Sequence, residues 1–250
     1  MNVNEYAIAV SGNGVMGRLV ARQLESQSTE SIPDEFALRF AGCMGPGDFD
    51  SLEAIPGPIH GIIDFSHPDF LPAIVRYVSR HPVPLVIATT GYSDEQVRQI
   101  HALSEQVPVV FSSNFSPGIA ILSRILREVS PLLSGWDVEI VEMHHNRKLD
   151  APSGTALALA DAIDGQGILP RLAGRSGNGR RGQEIGFHSI RCGSVSGKHD
   201  VIFAGPDELL TFSHQAQNRN LFAHGAVLAM KFALRQKHPG LYSMDDVLFG

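Results

Sequence analysis

"YAIAVSGNGVMGRLVARQLESQ", Tyr6 to Gln27, decides the architecture. Its first part, Tyr6 to Gly12, is a short apolar run that stops at glycine. That is the pattern of a strand buried in a parallel sheet. Its second part sets Val15, Leu19, Val20 and Leu24 at helical spacing. Between them Gly12, Gly14 and Gly17 spell G-x-G-x-x-G. Glycines at such a junction permit a tight turn and let backbone N–H groups approach a pyrophosphate at a helix start. A lone G-x-G-x-x-G is weak evidence, and a structural glycine turn is its bland alternative. The strand–turn–helix setting adds the weight.

The alternation continues beyond this stretch. "FALRFAGCM" (Phe36 to Met44), "HGIIDFS" (His60 to Ser66), "PLVIATTG" (Pro84 to Gly91) and "PVVFSS" (Pro108 to Ser113) have strand character. "PDFLPAIVRYVSRH" and "SDEQVRQIHALSEQ" have helical character, with Ser93 as N-cap and Gln96 in capping-box register. Strands alternating with helices predict an α/β fold with a doubly wound parallel sheet, whose ligands sit beyond the carboxyl ends of the strands. Those ends are "SGNG", "DFS", "TTG" and "SSNFS", all small and polar. "DFSHPD" adds Asp64, Ser66 and His67, the last expected as a loop residue. An acidic residue closing the second strand would hold an adenosine ribose. Met44 stands there instead, with Asp48 and Asp50 further on and no basic residue directly following. The choice between NADH and NADPH stays open.

From about Asn114 the texture changes to α+β. "GIAILSRILREVSPLL" predicts an amphipathic helix, and "DVEIVEMHH" alternates as a half-buried strand does. "SGTALALADAI" predicts a helix with Ser153 near its N-cap. "GFHSIRCGSVSGKHDVIFAGPDELLTFSHQA" predicts three antiparallel strands turning at "CGSVSGKH" and "AGPDE". "FAHGAVLAMKFALRQ" is expected to close the chain with a helix returning to the first domain. Gly165 to Gly186, rich in Gly and Arg, is expected to be a mobile loop. Arg171, Arg175, Arg180 and Arg181 are expected to be solvated there, a lid over an acidic substrate being the sharper alternative.

The chemistry concentrates in "EMHHNRKLDAPSGTA", Glu142 to Ala156. His144 at a strand end can take or give a proton near neutral pH. Lys148 offers a charged donor for a carboxylate or a developing anion. Ser153, Gly154 and Thr155 open a helix, where N–H groups and a hydroxyl bind carboxylates. Two surface histidines beside a capped helix is the bland alternative. His188, His199 and His214 lie on alternating strands without partners at metal-ligand spacing. They are expected on a polar or interface surface, and no metal site is expected. Cys192, mid-strand without a neighbouring base, is not expected to act as a nucleophile.

The bulk numbers agree with an ordinary globular chain. It has 250 residues, 43% hydrophobic and 18% charged, with net charge −6. That acidity argues against nucleic acid or an anionic membrane as main partner. Two cysteines, Cys43 and Cys192, suggest neither a disulfide framework nor a zinc site. No secretory leader and no apolar run near the ~18 residues of a membrane span are found, so a cytoplasmic location is expected.

The segment "E-x-H-H-x-x-K-x-D-A-P-S-G-T-A" resembles the signature of the 4-hydroxy-tetrahydrodipicolinate reductases, the dihydrodipicolinate reductases of bacterial lysine and diaminopimelate synthesis. "ATTG" is similar to the family's GTTG and "SSNFSPG" to its A-x-N-F-S-x-G. "EIGFHSIRCGSVSGKHDVIFAG" resembles its R-x-G-x-x-x-G-x-H strand pair, and "AQNRNLFAHGAV" its S-R-x-x-F-A-x-G-A tail. The resemblance implies a Rossmann dinucleotide-binding domain over 1–115 plus 219–250. It implies a central α+β domain with a mixed open sheet over 116–218, for substrate binding and assembly as a homotetramer. NADH or NADPH would reduce a small cyclic dicarboxylate with loss of water. His144 would be the proton donor/acceptor and Lys148 a second donor. His145, Ser153, Gly154 and Thr155 would bind the substrate. Gly12, Asn13, Gly14, Val15, Met16, Ala88, Thr89, Thr90, Ser112, Ser113, Asn114, Phe115 and Arg219 would bind the cofactor. Three departures fall in the cofactor half: a phosphate loop one residue short, Ala88 for glycine, and the missing ribose acid. A non-catalytic dinucleotide sensor predicts decay of the His144/Lys148 cluster, which is intact. An aspartate-semialdehyde-type dehydrogenase needs a cysteine nucleophile at a helix start, and neither cysteine fits.

Overall fold

The computed structural model describes residues 4–27 and 36–250. The chain divides into two compact units, Met1–Ser116 with Arg219–Gly250, and Pro117–Asn218.

The first unit opens with β1 (Asn4–Ser11), α1 (Val15–Gln27), β2 (Phe36–Met44), β3 (Gly61–Asp64), α2 (Leu71–Val78), β4 (Leu85–Ile87), α3 (Asp94–Ser104) and β5 (Pro108–Phe111). The second contains α4 (Pro117–Val129), β6 (Asp137–His144), α5 (Gly154–Ile163), β7 (Arg171–Ala173), β8 (Ile185–Arg191), β9 (Lys198–Ala204) and β10 (Leu209–Gln215). The chain then returns to the first unit with α6 (Asn220–Arg235), β11 (Gly240–Tyr242) and α7 (Met244–Phe249).

In the first unit the strands lie in the order β11-β5-β4-β3-β1-β2, and every neighbouring pair is parallel. This is a doubly wound sheet. Its apolar strands are buried throughout, as in Ala7–Val10, Ile62–Ile63 and Leu85–Ile87. α6 packs on α1 and on β3, β4 and β5. Ser93 caps α3 with Gln96 in a complete capping box. The strand order reverses between β1 and β3, which puts the turn after β1 beside the turn after β3. Gly12 holds φ +96°, and a Cβ there would meet the Phe65 carbonyl oxygen at 2.5 Å. Only glycine satisfies both the backbone and the space.

The second unit carries a mixed sheet ordered β10-β9-β6-β8-β7. Val138, Ile140, Ile185, Phe187, Val201 and Phe203 form its buried face, packed with Leu159 and Ala160 of α5 and Leu122 and Leu126 of α4.

Four expectations need correction. The strands β8, β9 and β10 are not three antiparallel neighbours. β6 lies between β8 and β9, parallel to the first and antiparallel to the second. Only the "AGPDE" turn makes a hairpin, β9 with β10. The chain does not close on α6, since β11 adds a strand beside β5 and α7 follows. The Gly165–Gly186 stretch is not simply a loop of solvated arginines. It contributes β7, paired parallel to β8. Arg171 pairs with Asp161 and Arg175 with Glu184, while Arg181 binds Asp137 at 2.8 Å and Glu139 at 3.1 Å. Cys192 lies just past the end of β8, exposed, rather than mid-strand.

Candidate functional site

Strand alternation builds the site in the second unit. Along β6, every second residue from Val138 faces inward: Val138, Ile140, Glu142, His144. The first two are core, and the last two bring titratable groups to the same face at the strand's carboxyl end. Sheet register sets their neighbours. Glu142 stands opposite His199 of β9 and Ser189 of β8, and His144 lies beside Arg191. His199, expected on a polar surface, is therefore buried beside the site at 3% exposure.

Glu142 is fully buried and is the hub. It accepts from Arg191 through both Nη atoms at 2.8 and 2.7 Å, from the Ser153 backbone N–H at 3.2 Å, and contacts His144 Nδ1 at 2.6 Å. Burial opposes its charge. The hydrogen bonds from Arg191, Ser189 and His144 outweigh that and hold its carboxyl at about 2. A carboxylate only accepts, so the Nδ1 of His144 carries the hydrogen, and Nε2 is the nitrogen left for proton exchange. Burial lowers the His144 pKa, Glu142 opposes the fall, and Lys148 and Arg191 add to it. A Cβ at Gly197 would come within 3.1 Å of Nε2, so glycine there keeps that nitrogen uncovered.

Lys148, in the turn after β6, pairs with Asp150 at 2.8 Å. Asp150 is held below the usual carboxylate range by Lys148 first, and by the Gly154 backbone N–H as well. His145 is tied by its N–H to the Val195 carbonyl at 2.8 Å. Ser153 caps α5, its Oγ accepting from Ala156 N at 3.2 Å and lying 3.1 Å from His199 Nε2. Burial pushes His199 down to about 4. Thr155 is half-buried in the first turn, while Gly154 is exposed with open space around its Cα. Among the described residues no group of three or more His, Cys, Asp or Glu is arranged to hold a metal ion.

The first unit gathers the other set of residues. Met16, Ala88, Ser113, Asn114, Phe115 and Arg219, from four separate segments, line one cavity of about 260 Å³. Phe65 and Phe222 complete it and were not singled out in the sequence. Asn13 lines a second cavity of about 360 Å³ with Arg18, Arg22, Phe40, Cys43 and Asp48. Gly14 and Val15 are exposed beside it at the start of α1. Thr89 Oγ1 accepts from the Ser66 N–H at 2.8 Å, Thr90 is exposed, and Ser112 Oγ donates to the Asn114 carbonyl at 2.9 Å. These residues fit a dinucleotide: a Cβ on Gly17 would collide with the Gly12 carbonyl oxygen, whereas Gly14 has nothing within 4 Å. The loop is thus closed on its protein side and open on the side where a pyrophosphate would bind. Asp64, by contrast, is a buried structural acid that accepts from Tyr92 Oη at 3.0 Å.

Residues 6–115 match the family described as "Dihydrodipicolinate reductase, N-terminus", and residues 118–248 match "Dihydrodipicolinate reductase, C-terminus". The chain belongs to the dihydrodipicolinate reductase family. It is 40% identical to a 4-hydroxy-tetrahydrodipicolinate reductase of Caldanaerobacter subterraneus subsp. tengcongensis, over 94% of this chain and 95% of that one. It is 41% identical to one of Caulobacter vibrioides, over 96% of each. A dipicolinate-bound dihydrodipicolinate reductase from Paenisporosarcina sp. TG-14 shares the fold, with TM-score 0.72 and 22% identity over 96% of this chain and 97% of that one.

Two residues of this reductase-family site escape direct sequence reading. Arg191 is 49 residues from Glu142, and only the strand order brings them together. His199 is one of three histidines, on β8, β9 and β10. Its inward face follows from its sharing parity with Val201 and Phe203.

Proposed function

We propose that the protein reduces 4-hydroxy-tetrahydrodipicolinate to tetrahydrodipicolinate with NADH or NADPH, consuming one proton and releasing one water. The observation that carries this reading is the His144–Glu142–Arg191 arrangement beside Lys148 and the N-terminus of α5, in a chain of this family. The reduced nicotinamide supplies the hydride that reaches C4. The chain's own residues do the rest. Gly12, Asn13, Gly14, Val15 and Met16 present N–H groups to the dinucleotide. Ala88, Thr89, Thr90, Ser112, Ser113, Asn114, Phe115 and Arg219 bind its nicotinamide half.

His144 gives its Nε2 proton to the enamine carbon formed when C4 is reduced, and Lys148 holds or protonates the reacting end. His145, Ser153, Gly154 and Thr155 receive the carboxylates. Asp150 takes the Lys148 ammonium and the Gly154 N–H for itself, so a substrate carboxylate competes with it for the same donors. The domain over 1–115 plus 219–250 would serve the cofactor. That over 116–218 would serve substrate and homotetramer assembly, in the cytoplasm.

The test is a coupled assay in which 4-hydroxy-tetrahydrodipicolinate is generated in place. NADH and NADPH are supplied separately, and loss of reduced-nicotinamide absorbance is followed. Oxidation with either cofactor is expected. Folded protein that binds dinucleotide and oxidises neither would make it a sensor.

A further inference from the structure

We propose that Glu142 and Arg191 form a buried positioning pair: Arg191 fixes the Glu142 carboxylate, and that carboxylate holds the hydrogen of His144 on Nδ1, so Nε2 alone exchanges a proton with the substrate. The proposal rests on the reading that His144 is the proton-transfer residue. Neither Glu142 nor Arg191 touches the substrate in that reading.

The geometry is specific. Glu142 and His144 are two residues apart on one strand and so share a face, which places Oε2 2.6 Å from Nδ1. A buried carboxylate would recover its neutral form unless it were charge-paired. Arg191 supplies that pairing with a two-pronged contact at 2.7 and 2.8 Å, and its own pKa is raised chiefly by its hydrogen bonds to Glu142. The planar fork of arginine can grip both carboxylate oxygens, which lysine cannot. Arg191 also donates to the Asp150 carbonyl. A neutral imidazole left free in water favours the hydrogen on Nε2. Holding it on Nδ1 therefore needs a fixed acceptor, and Glu142 is that acceptor.

The groups facing His144 are Glu142 on its own strand, Arg191 on β8, His199 on β9 and Lys148 in the following turn. Of these only Glu142 raises its pKa. Removing that carboxylate must therefore move the His144 titration to lower pH. The proton donor is then lost at lower pH, and the alkaline limb of kcat/KM moves with it.

Three variants test the pair: Glu142→Gln, Arg191→Met and the double variant, which removes both charges and so keeps the site testable if Arg191→Met alone does not fold. Imidazole nitrogen NMR of the protein reads the His144 tautomer without turnover, and steady-state kinetics read kcat, KM and the pH limb. In Glu142→Gln we expect the hydrogen to redistribute toward Nε2, kcat to fall about a hundredfold, KM to stay within about threefold, and the alkaline limb to move down. The double variant should match Glu142→Gln alone, because Arg191 acts through Glu142. An unchanged tautomer in Glu142→Gln, or losses that multiply in the double variant, would overturn the proposal. Failure of the underlying reading looks different: His144→Ala would turn over normally while the wild-type tautomer still responded to Glu142→Gln.

Discussion

At the scale of single residues, His144 and Gly197 are coupled by one distance. Nε2 is the proton-transfer atom of the proposed reaction, and glycine keeps the space beside it open. Replacing His144 with alanine removes the proton carrier but leaves the first unit untouched. The expected result is a kcat lower by ~10²–10⁴ with unchanged affinity for NADH and NADPH in fluorescence titration. Wild-type turnover would remove His144 from the mechanism. Gly197→Ala is the subtler test. The added methyl would sit 3.1 Å from Nε2, tighter than ordinary contact, and must displace the ring or shield it. A loss of about tenfold in kcat is expected, with cofactor affinity again unchanged. An alanine variant as fast as wild type would show that protons leave His144 by another edge.

At the scale of elements, the junction of β1 and α1 separates glycines that serve the fold from one that, in the proposed function, serves a ligand. Gly17 is pressed against the Gly12 carbonyl, so Gly17→Ala should destabilise the first unit. Gly14 has open space at its Cα. Gly14→Val should leave the unfolding midpoint within about 2 °C of wild type, as an exposed substitution does, yet weaken dinucleotide binding at least about tenfold by blocking backbone approach. Equal dinucleotide affinity in that variant would place the pyrophosphate elsewhere. The same junction shows what was legible. Its strand and helix could be read from local periodicity, and α1 and β2 fall where the spacing puts them. The His144 cluster was legible because strand parity and helix capping are local rules. What stayed hidden was pairing between distant segments. Nothing near "CGSVSGKH" says that β6 will lie between β8 and β9, so neither the Arg191–Glu142 contact nor the place of His199 opposite Glu142 could be derived. β7, only three residues long, was hidden by the glycines and arginines around it. The capping box of Ser243 and Asp246 is the local signal for α7.

At the scale of the whole molecule, the buried site should make the second unit the acid-sensitive one. His199, His144 and His214 all have pKa values lowered chiefly by burial, His199 to about 4 from an ordinary 6.5. Between those two values the unfolded chain binds a proton at His199 that the folded chain refuses. Its contribution is complete above pH 6.5, falls as the pH drops, and is gone below about 4. Glu142 behaves with the same sign in a lower window. Its stabilising charge is complete above 4.5 and is lost as the pH falls toward about 2. Each window is worth on the order of 3 kcal/mol, a large part of a domain's stability. The protein has one tryptophan, Trp136, and it lies in the second unit just before β6, so its fluorescence reports on that unit. Urea titrations followed at Trp136 should show a midpoint that declines from pH 6.5 to 4 and again below 4.5. In His199→Gln, a neutral side chain of similar reach, the decline over the upper window should be shallower while the lower one persists, because His144, His214 and Glu142 remain. An unaltered upper slope in that variant would mean that His199 is reached by protons in the folded state, and that the face it shares with Val201 and Phe203 opens to solvent before the unit unfolds.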